Sequence, residues 1–259
     1  MAIRPRSILL LILAALLLLS GSFATAAPTD DDFEAALEEV DELREQGEFV
    51  RAISRLDNLE NDHPDHVEIY WRRAWAKVDL GMEQDHDSER DRLFEEGFAD
   101  AERALELDDT NPGAHVSMAV AAGQMGLISG TRRQVELSRK VKEHAEKAIE
   151  LDPDRAEAYH VLGRWNHEVA SLGFAARTVV RAVYGGLPDA SYEEAVTHFE
   201  RSIKLDERVV DHLEIGRTYK ELGETDQARA AFERALELPV EFHSDEDYQE
   251  EAEELLAGL

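Results

Sequence analysis

The chain has 259 residues, with 57 Asp and Glu against 28 Lys and Arg, a formal net charge of -29 and no cysteine. Disulfides and thiolate metal sites are thereby excluded, and nucleic acid is a poor partner because a polyanion is repelled by a surface of this sign. The acidity reads either as a solvated surface, as in proteins of saline habitats, or as attraction for a cationic partner.

Arg4 and Arg6 precede an unbroken apolar run at residues 8–19, and Ala24-Thr25-Ala26 supplies small residues for a cleavage site. That is the layout of a secretory signal peptide over residues 1–26, so the expected product is exported, periplasmic or extracellular. An uncleaved N-terminal anchor is the alternative, although a comfortable membrane span needs roughly 20 apolar residues. No transmembrane span is expected after cleavage, and residues 27–32 read as an acidic linker.

From Phe33 onward the pattern is helical throughout. Residues 33–66 form a first, degenerate hairpin that turns at Gly47 and ends near Pro64. Residues 67–111, 112–155, 156–208 and 209–240 follow as four more hairpins, and a run from Ser244, a plausible N-cap, makes a capping helix over 244–258. Four of the second helices end on one octapeptide: Ala101-Glu-Arg-Ala-Leu-Glu-Leu-Asp108, Ala145-Glu-Lys-Ala-Ile-Glu-Leu-Asp152, Phe199-Glu-Arg-Ser-Ile-Lys-Leu-Asp206 and Phe232-Glu-Arg-Ala-Leu-Glu-Leu-Pro239. Apolar or small residues at i, i+3 and i+4 followed by Asp or Pro mark a helix end. His212-x-x-Ile215-Gly216-x-x-Tyr219, with Gly223, Ala228 and Phe232, matches a tetratricopeptide repeat. The fold class is therefore all-α, a right-handed α-solenoid of tetratricopeptide-like hairpins.

The octapeptides are not evenly spaced. Ala104, Ala148, Ser202 and Ala235 stand 44, 54 and 33 residues apart, whereas a standard repeat has a period of about 34. The excess is assigned to insertions near residues 82–94, 127–139 and 170–188. The third holds Phe174, Arg177, Val180, Arg181 and Tyr184 and no acid. It reads either as a buried extra helix or as a lid or docking helix for an amphipathic or anionic ligand.

Several ordered pieces resemble the regulator of microtubule dynamics protein family. They are Tyr70-Trp-Arg-Arg-Ala74, Val141-Lys-Glu-His-Ala-Glu-Lys-Ala-Ile-Glu-Leu-Asp-Pro153, His160-x-x-Gly163-x-Trp165 and, after the long insertion, Ser191-Tyr-Glu-Glu-Ala195 with Phe199. The resemblance spans residue 70 to the C-terminus. It implies an all-helical repeat domain without catalysis, whose animal members are associated with microtubules and, in some cases, with organelle contacts and phospholipid. The signal-like start and the acidic, lysine-poor surface depart from it and fit an exported bacterial relative, for which microtubules offer no target.

No His-Glu-x-x-His, Walker loop, nucleophile elbow or cysteine nucleophile is present, so no enzyme and no cofactor is expected. The spacing of Asp85, Asp87, Glu89, Asp91 and Glu96 mimics a calcium loop, but Arg90 stands where the turn requires Gly. The turn from Asn61 to His66 carries Asp and Pro for conformational reasons, and no metal is assigned. Candidate groove residues on the first helices are Trp71, Arg72, Trp75, Val116, Val120, His160, Arg164, His167, Arg217 and Lys220. Either the tryptophans pack between helices and the arginines pair with acids, or the face takes a peptide carboxylate or a phospholipid head with its acyl chains. The leading expectation is a scaffold for an unidentified peptide or protein partner; the alternative is a phospholipid carrier.

Overall fold

A computed structural model describes residues 30–259. The expected signal segment lies outside them. In chain order the helices are α1 (Asp30–Glu45), α2 (Phe49–Asp62), α3 (Val67–Met82), α4 (Asp87–Leu107), α5 (Pro112–Leu127), α6 (Thr131–Leu151), α7 (Ala156–Ser171), α8 (Phe174–Tyr184), α9 (Tyr192–Leu205), α10 (Val209–Leu222), α11 (Thr225–Glu237) and α12 (Asp245–Ala257). The last acids of the expected linker, Asp30–Asp32, are instead the first turn of α1, where the helix dipole favours negative charge.

In three of the hairpins the second helix lays a phenylalanine ring into a gap left by glycine in the first. A Cβ on Gly163 of α7 would lie 2.6 Å from the Phe199 ring of α9, and one on Gly81 of α3 would lie 2.7 Å from Phe94 of α4; Gly216 of α10 sits closer still to Phe232 of α11. Phe199 and Phe232 are fully buried. The octapeptides supply the rest of the seam: Ala101, Ala104, Ala145, Ala148, Ser202 and Ala235 are buried against the neighbouring first helix. Their terminal Asp108, Asp152 and Asp206 cap the helices in extended conformation. The turns after α1 and α10 are of one kind. Gly47 (φ 76°) and Gly223 (φ 77°) take the left-handed conformation, while Glu48 N–H donates to the Leu43 carbonyl and Glu224 N–H to that of Tyr219.

Hairpins α1–α2, α3–α4, α5–α6, α7–α9 and α10–α11 stack so that each first helix also touches its neighbours, and α12 packs on α10 and α11. Apolar cores run along the stack from Leu37, Leu56 and Ile69, through Phe94, Met118 and Leu137, to Leu213, Phe232 and Ala252. Ser244 occupies the N-cap position of α12 without a side-chain cap bond. The Asp245 carboxylate instead accepts from the N–H groups of Glu241 and Phe242.

Two of the expected insertions take helical form. The extra residues near 82–94 and 127–139 lengthen α4 and α6 to 21 residues each, against 14 in α2 and 13 in α11. Leu93 and Phe94 are buried by this extension. The third is a separate helix, α8, and none of its residues is buried.

The segment between α11 and α12 reaches back to the opposite end of the stack. His243 N–H donates to the Glu45 carbonyl at 2.8 Å, and its Nε2 lies 2.5 Å from Glu83 at the end of α3. The same ring stands edge-on to Phe49 at 5.9 Å, and a Cβ on Gly47 would collide with it. Phe242 lies under the Arg208 guanidinium at 3.7 Å. The arc of hairpins is thereby clasped end to end.

The two kinds of glycine give a paired prediction. Gly163→Ala drives a methyl into Phe199 and should lower the unfolding free energy by about 1–3 kcal/mol, the usual cost of overpacking. Gly126→Ala, in α5 with nothing within 4 Å of the added carbon, should be neutral or stabilising by up to about 1 kcal/mol through helix propensity. Urea unfolding of both variants checks this; equal effects would refute the seam.

Candidate ligand-binding groove

The first helices carry a row of polar and aromatic side chains, beginning with Trp71 in α3. Trp71 is buried, its indole N–H donates to Glu68 at 2.9 Å, and the Arg72 guanidinium covers it at 4.1 Å. Arg72 is itself held by Asp41 at 3.0 Å and by Glu68 at 2.5 Å. One turn on, Trp75 is half-buried beneath Arg44 at 4.3 Å, its ring 6.5 Å from that of Trp71. Arg44 also pairs with Asp79 at 3.5 Å. Burial pushes the Asp79 carboxyl up to about 6, while Arg44 and Arg208 pull against it and Glu83 adds to it.

In α5, Val116 does not face the groove: it is fully buried with Ala148 and Ala158, whereas Val120 is half-buried beside them. In α7 the cationic residues are already paired across to α10. His160 Nδ1 lies 2.8 Å from Asp211, and His167 Nδ1 lies 2.9 Å from the Thr218 hydroxyl, which donates to the Glu214 carbonyl. Glu214 draws Arg164 at 3.7 Å and Arg217 at 2.8 Å, and Arg217 reaches on to Glu251 of α12. Asp211 and Glu214 are buried. Sequence reasoning missed these two acids, although their i, i+3 spacing one turn before Arg217 is a visible signal. What remains open to solvent is Arg164, with a side chain 48% exposed, and Lys220.

The α8 residues divide between two faces rather than forming one contact surface. Phe174 points to solvent, while Val180 and Tyr184 are half-buried. Arg177 donates to the carbonyls of Val169, Ala170 and Leu172, so it caps α7. Arg181 is exposed. The helix against which α8 packs is α6, whose Arg139 holds the carbonyls of Tyr184 and Gly186. It therefore lies along the second-helix layer instead of covering the first-helix face.

On that outer side, His115 and His144 meet Nδ1 to Nδ1 at 2.9 Å, and His115 Nε2 lies 2.9 Å from the Asp109 carbonyl. A carbonyl only accepts, so His115 carries its proton on Nε2 and His144 donates from Nδ1. Burial first, with the neighbouring His115 and Lys140 adding to it, pushes His144 down to about 4, keeping it neutral. Among the described residues no cluster of three His, Asp or Glu could hold a metal.

A buried acid with a raised pKa has a signature in stability. The folded carboxyl of Asp79 titrates near 6, above its ordinary 3.8, so its contribution is present below the unfolded value and lost as the pH rises through the folded one. Asp79→Asn resembles the protonated form. The variant should therefore gain about 1–2 kcal/mol on the native chain between about pH 4 and about pH 7. Urea unfolding across that range checks it; a constant difference would refute it.

Residues 36–259 match the family described as Regulator of microtubule dynamics protein 1-3. The bovine (Bos taurus) regulator of microtubule dynamics protein 1 is 30% identical over 231 residues, covering 88% of this chain and 72% of that protein. Protein 3 of Xenopus laevis is 30% identical over 234 residues, with 88% of this chain matched to 50% of its length. Among solved structures, the thermophilic TPR protein TTC0263 of Thermus thermophilus superposes with a TM-score of 0.63 at 15% identity, over 86% of this chain and 98% of that one.

Proposed function

The chain belongs to the family of regulators of microtubule dynamics proteins 1-3, and from that premise we propose that it is a non-enzymatic, exported scaffold holding a peptide or protein segment on its first-helix face. The observation that carries this reading is the order of groups along that face. Half-buried Trp75 and Val120 lie in the second and third hairpins, and exposed Arg164 and Lys220 in the fourth and fifth. An extended segment with an apolar anchor at one end and a carboxylate at the other matches that order. Export rests on the basic and apolar start of the sequence. Among the described residues no helix is long and apolar enough to cross a membrane.

The paired arginines refine what the groove can offer. Arg72 and Arg217 are committed to Asp41, Glu68, Glu214 and Glu251, and replacing either would leave acids unpaired inside the protein. They serve as frame, and ligand selection falls to the exposed cations. The carrier alternative has less support: a cavity of about 580 Å³ lies on the outer side beside His115 and His144, away from the first-helix face, and is lined mostly by charged groups including Arg139, Lys142, Glu143 and Lys147. A microtubule role rests on the names of the relatives, and with a net charge of -29 the acid-rich faces of the chain disfavour an acidic partner there.

A peptide library selected on the purified chain tests the reading. Selected peptides should lose affinity about tenfold or more on Arg164→Glu/Lys220→Glu, as expected when charge-assisted contacts are reversed. Circular dichroism should be unchanged. Failure to select any peptide, or full retention on the double variant, would remove the groove from the account. Native mass spectrometry of detergent-free protein addresses the carrier: co-purified phospholipid supports it, and a bare mass excludes it.

A further inference from the structure

Acids are missing from two stretches of this strongly acidic chain: residues 110–135 and residues 169–188. Both adjoin α6: the first leads into it, and α8 of the second packs on it. The first forms α5 with its turn into α6, and the second forms the end of α7 with α8. Ile128, Leu172 and Leu187 pack on one core cluster, and Arg139 of α6 holds the end of α8. Here the protein also exposes apolar bulk. Leu127 is 72% exposed, Phe174 88%, Val179 53% and Val183 63%. Around the α8 helix, Phe174, Ala175, Thr178, Val179, Ala182 and Val183 share the half opposite Val180 and Tyr184, and none is charged. Arg132, Arg133 and Arg181 are exposed in these stretches, Arg132 and Arg133 pairing with Glu136, while Glu168 and Asp189 stand at the borders of the second.

We propose that this edge, formed by the α5–α6 turn and the outer face of α8, lies on the surface of a lipid bilayer carrying anionic headgroups. A helix with one apolar half and arginine beside it is built to rest at a membrane interface. Part of the backbone there is already satisfied: Arg139 holds the carbonyls of Tyr184 and Gly186 after α8, and Arg177 those of Val169, Ala170 and Leu172 at the end of α7, which lowers the cost of meeting an apolar phase. The remaining acids do not forbid approach, since charges beyond about 8 Å are screened at physiological salt. A second copy of the chain is the poorer occupant. An 11-residue helix is only about 16 Å long, and a pair of them falls short of the ~1,200 Å² of a stable interface. The proposal is independent of what the groove holds.

The absence of cysteine makes the test direct. Single-cysteine forms of the full chain, Leu127→Cys and Val183→Cys, are labelled with an environment-sensitive fluorophore, beside the controls Asp109→Cys, in the turn before α5, and Val240→Cys. With phosphatidylcholine vesicles containing phosphatidylglycerol, emission should shift to the blue at 127 and 183 and stay constant at the controls. The shift should shrink on pure phosphatidylcholine. Adding Phe174→Asp and Val179→Asp to the chain labelled at 127 should weaken vesicle binding about tenfold or more. Because four separate positions are read, tethering by the N-terminal apolar run alone cannot imitate the pattern. Silent labels at 127 and 183 would overturn the proposal, and a protein partner for this edge would give that silence. Equal shifts at all four positions would overturn it as well.

Discussion

The approach of a phenylalanine ring to a glycine in the facing helix sets the geometry of this molecule. At Gly163–Phe199 and Gly216–Phe232 the backbones come close enough that no side-chain carbon fits between them. That contact sets the spacing within a hairpin, and the alanines of the octapeptide carry the same spacing to the next. Every position along the first-helix face follows from it, including those of Trp75, His160 and Arg164. Dispersion and apolar burial act here without hydrogen bonds, so the seam tolerates length changes elsewhere in the helices as long as the rings stay seated.

On that frame the chain mounts charge in two ways. Across α7 and α10, His160–Asp211, His167–Thr218 and Arg164–Glu214–Arg217 tie neighbouring hairpins together on their inner side. Where the acid is buried, as at Asp211 and Glu214, such a pair contributes little net stability because desolvation offsets the attraction. Their effect is geometric, since each has one satisfied arrangement and so fixes the angle between hairpins. On the outer side the opposite arrangement holds, with acids withdrawn from α8 and the α5–α6 turn and apolar side chains left uncovered. Membership of the regulator of microtubule dynamics family accounts for the helical frame.

Much of the fold was legible in the residues because helix ends and hairpin turns are local. The octapeptides and Gly223 needed no knowledge of tertiary contacts. The longer spacings could be counted but not interpreted. Ten added residues look alike whether they loop out or extend a helix, and only the burial of Leu93 and Phe94 tells which occurred. The site was legible in part. Periodicity placed Val116 on the right helix but not on its buried side, and it marked Arg72 and Arg217 as cationic without revealing Asp41 or Glu251. Those partners are 31 and 34 residues away, a distance at which no local pattern reaches. The same blindness covered α8, where an apolar face suggests burial unless one knows that nothing among the described residues covers it.

Solenoids are usually open at both ends, and their lineages gain or lose whole repeats freely because each unit touches only its neighbours. The contact of His243 with Glu45, Glu83 and Phe49 removes that freedom here. One hairpin more or fewer would carry the C-terminal segment past its landing point, as a link added to a bracelet displaces its catch. The number of units is thereby held constant while the size of each can vary, and the 21-residue helices α4 and α6 are the form such variation takes.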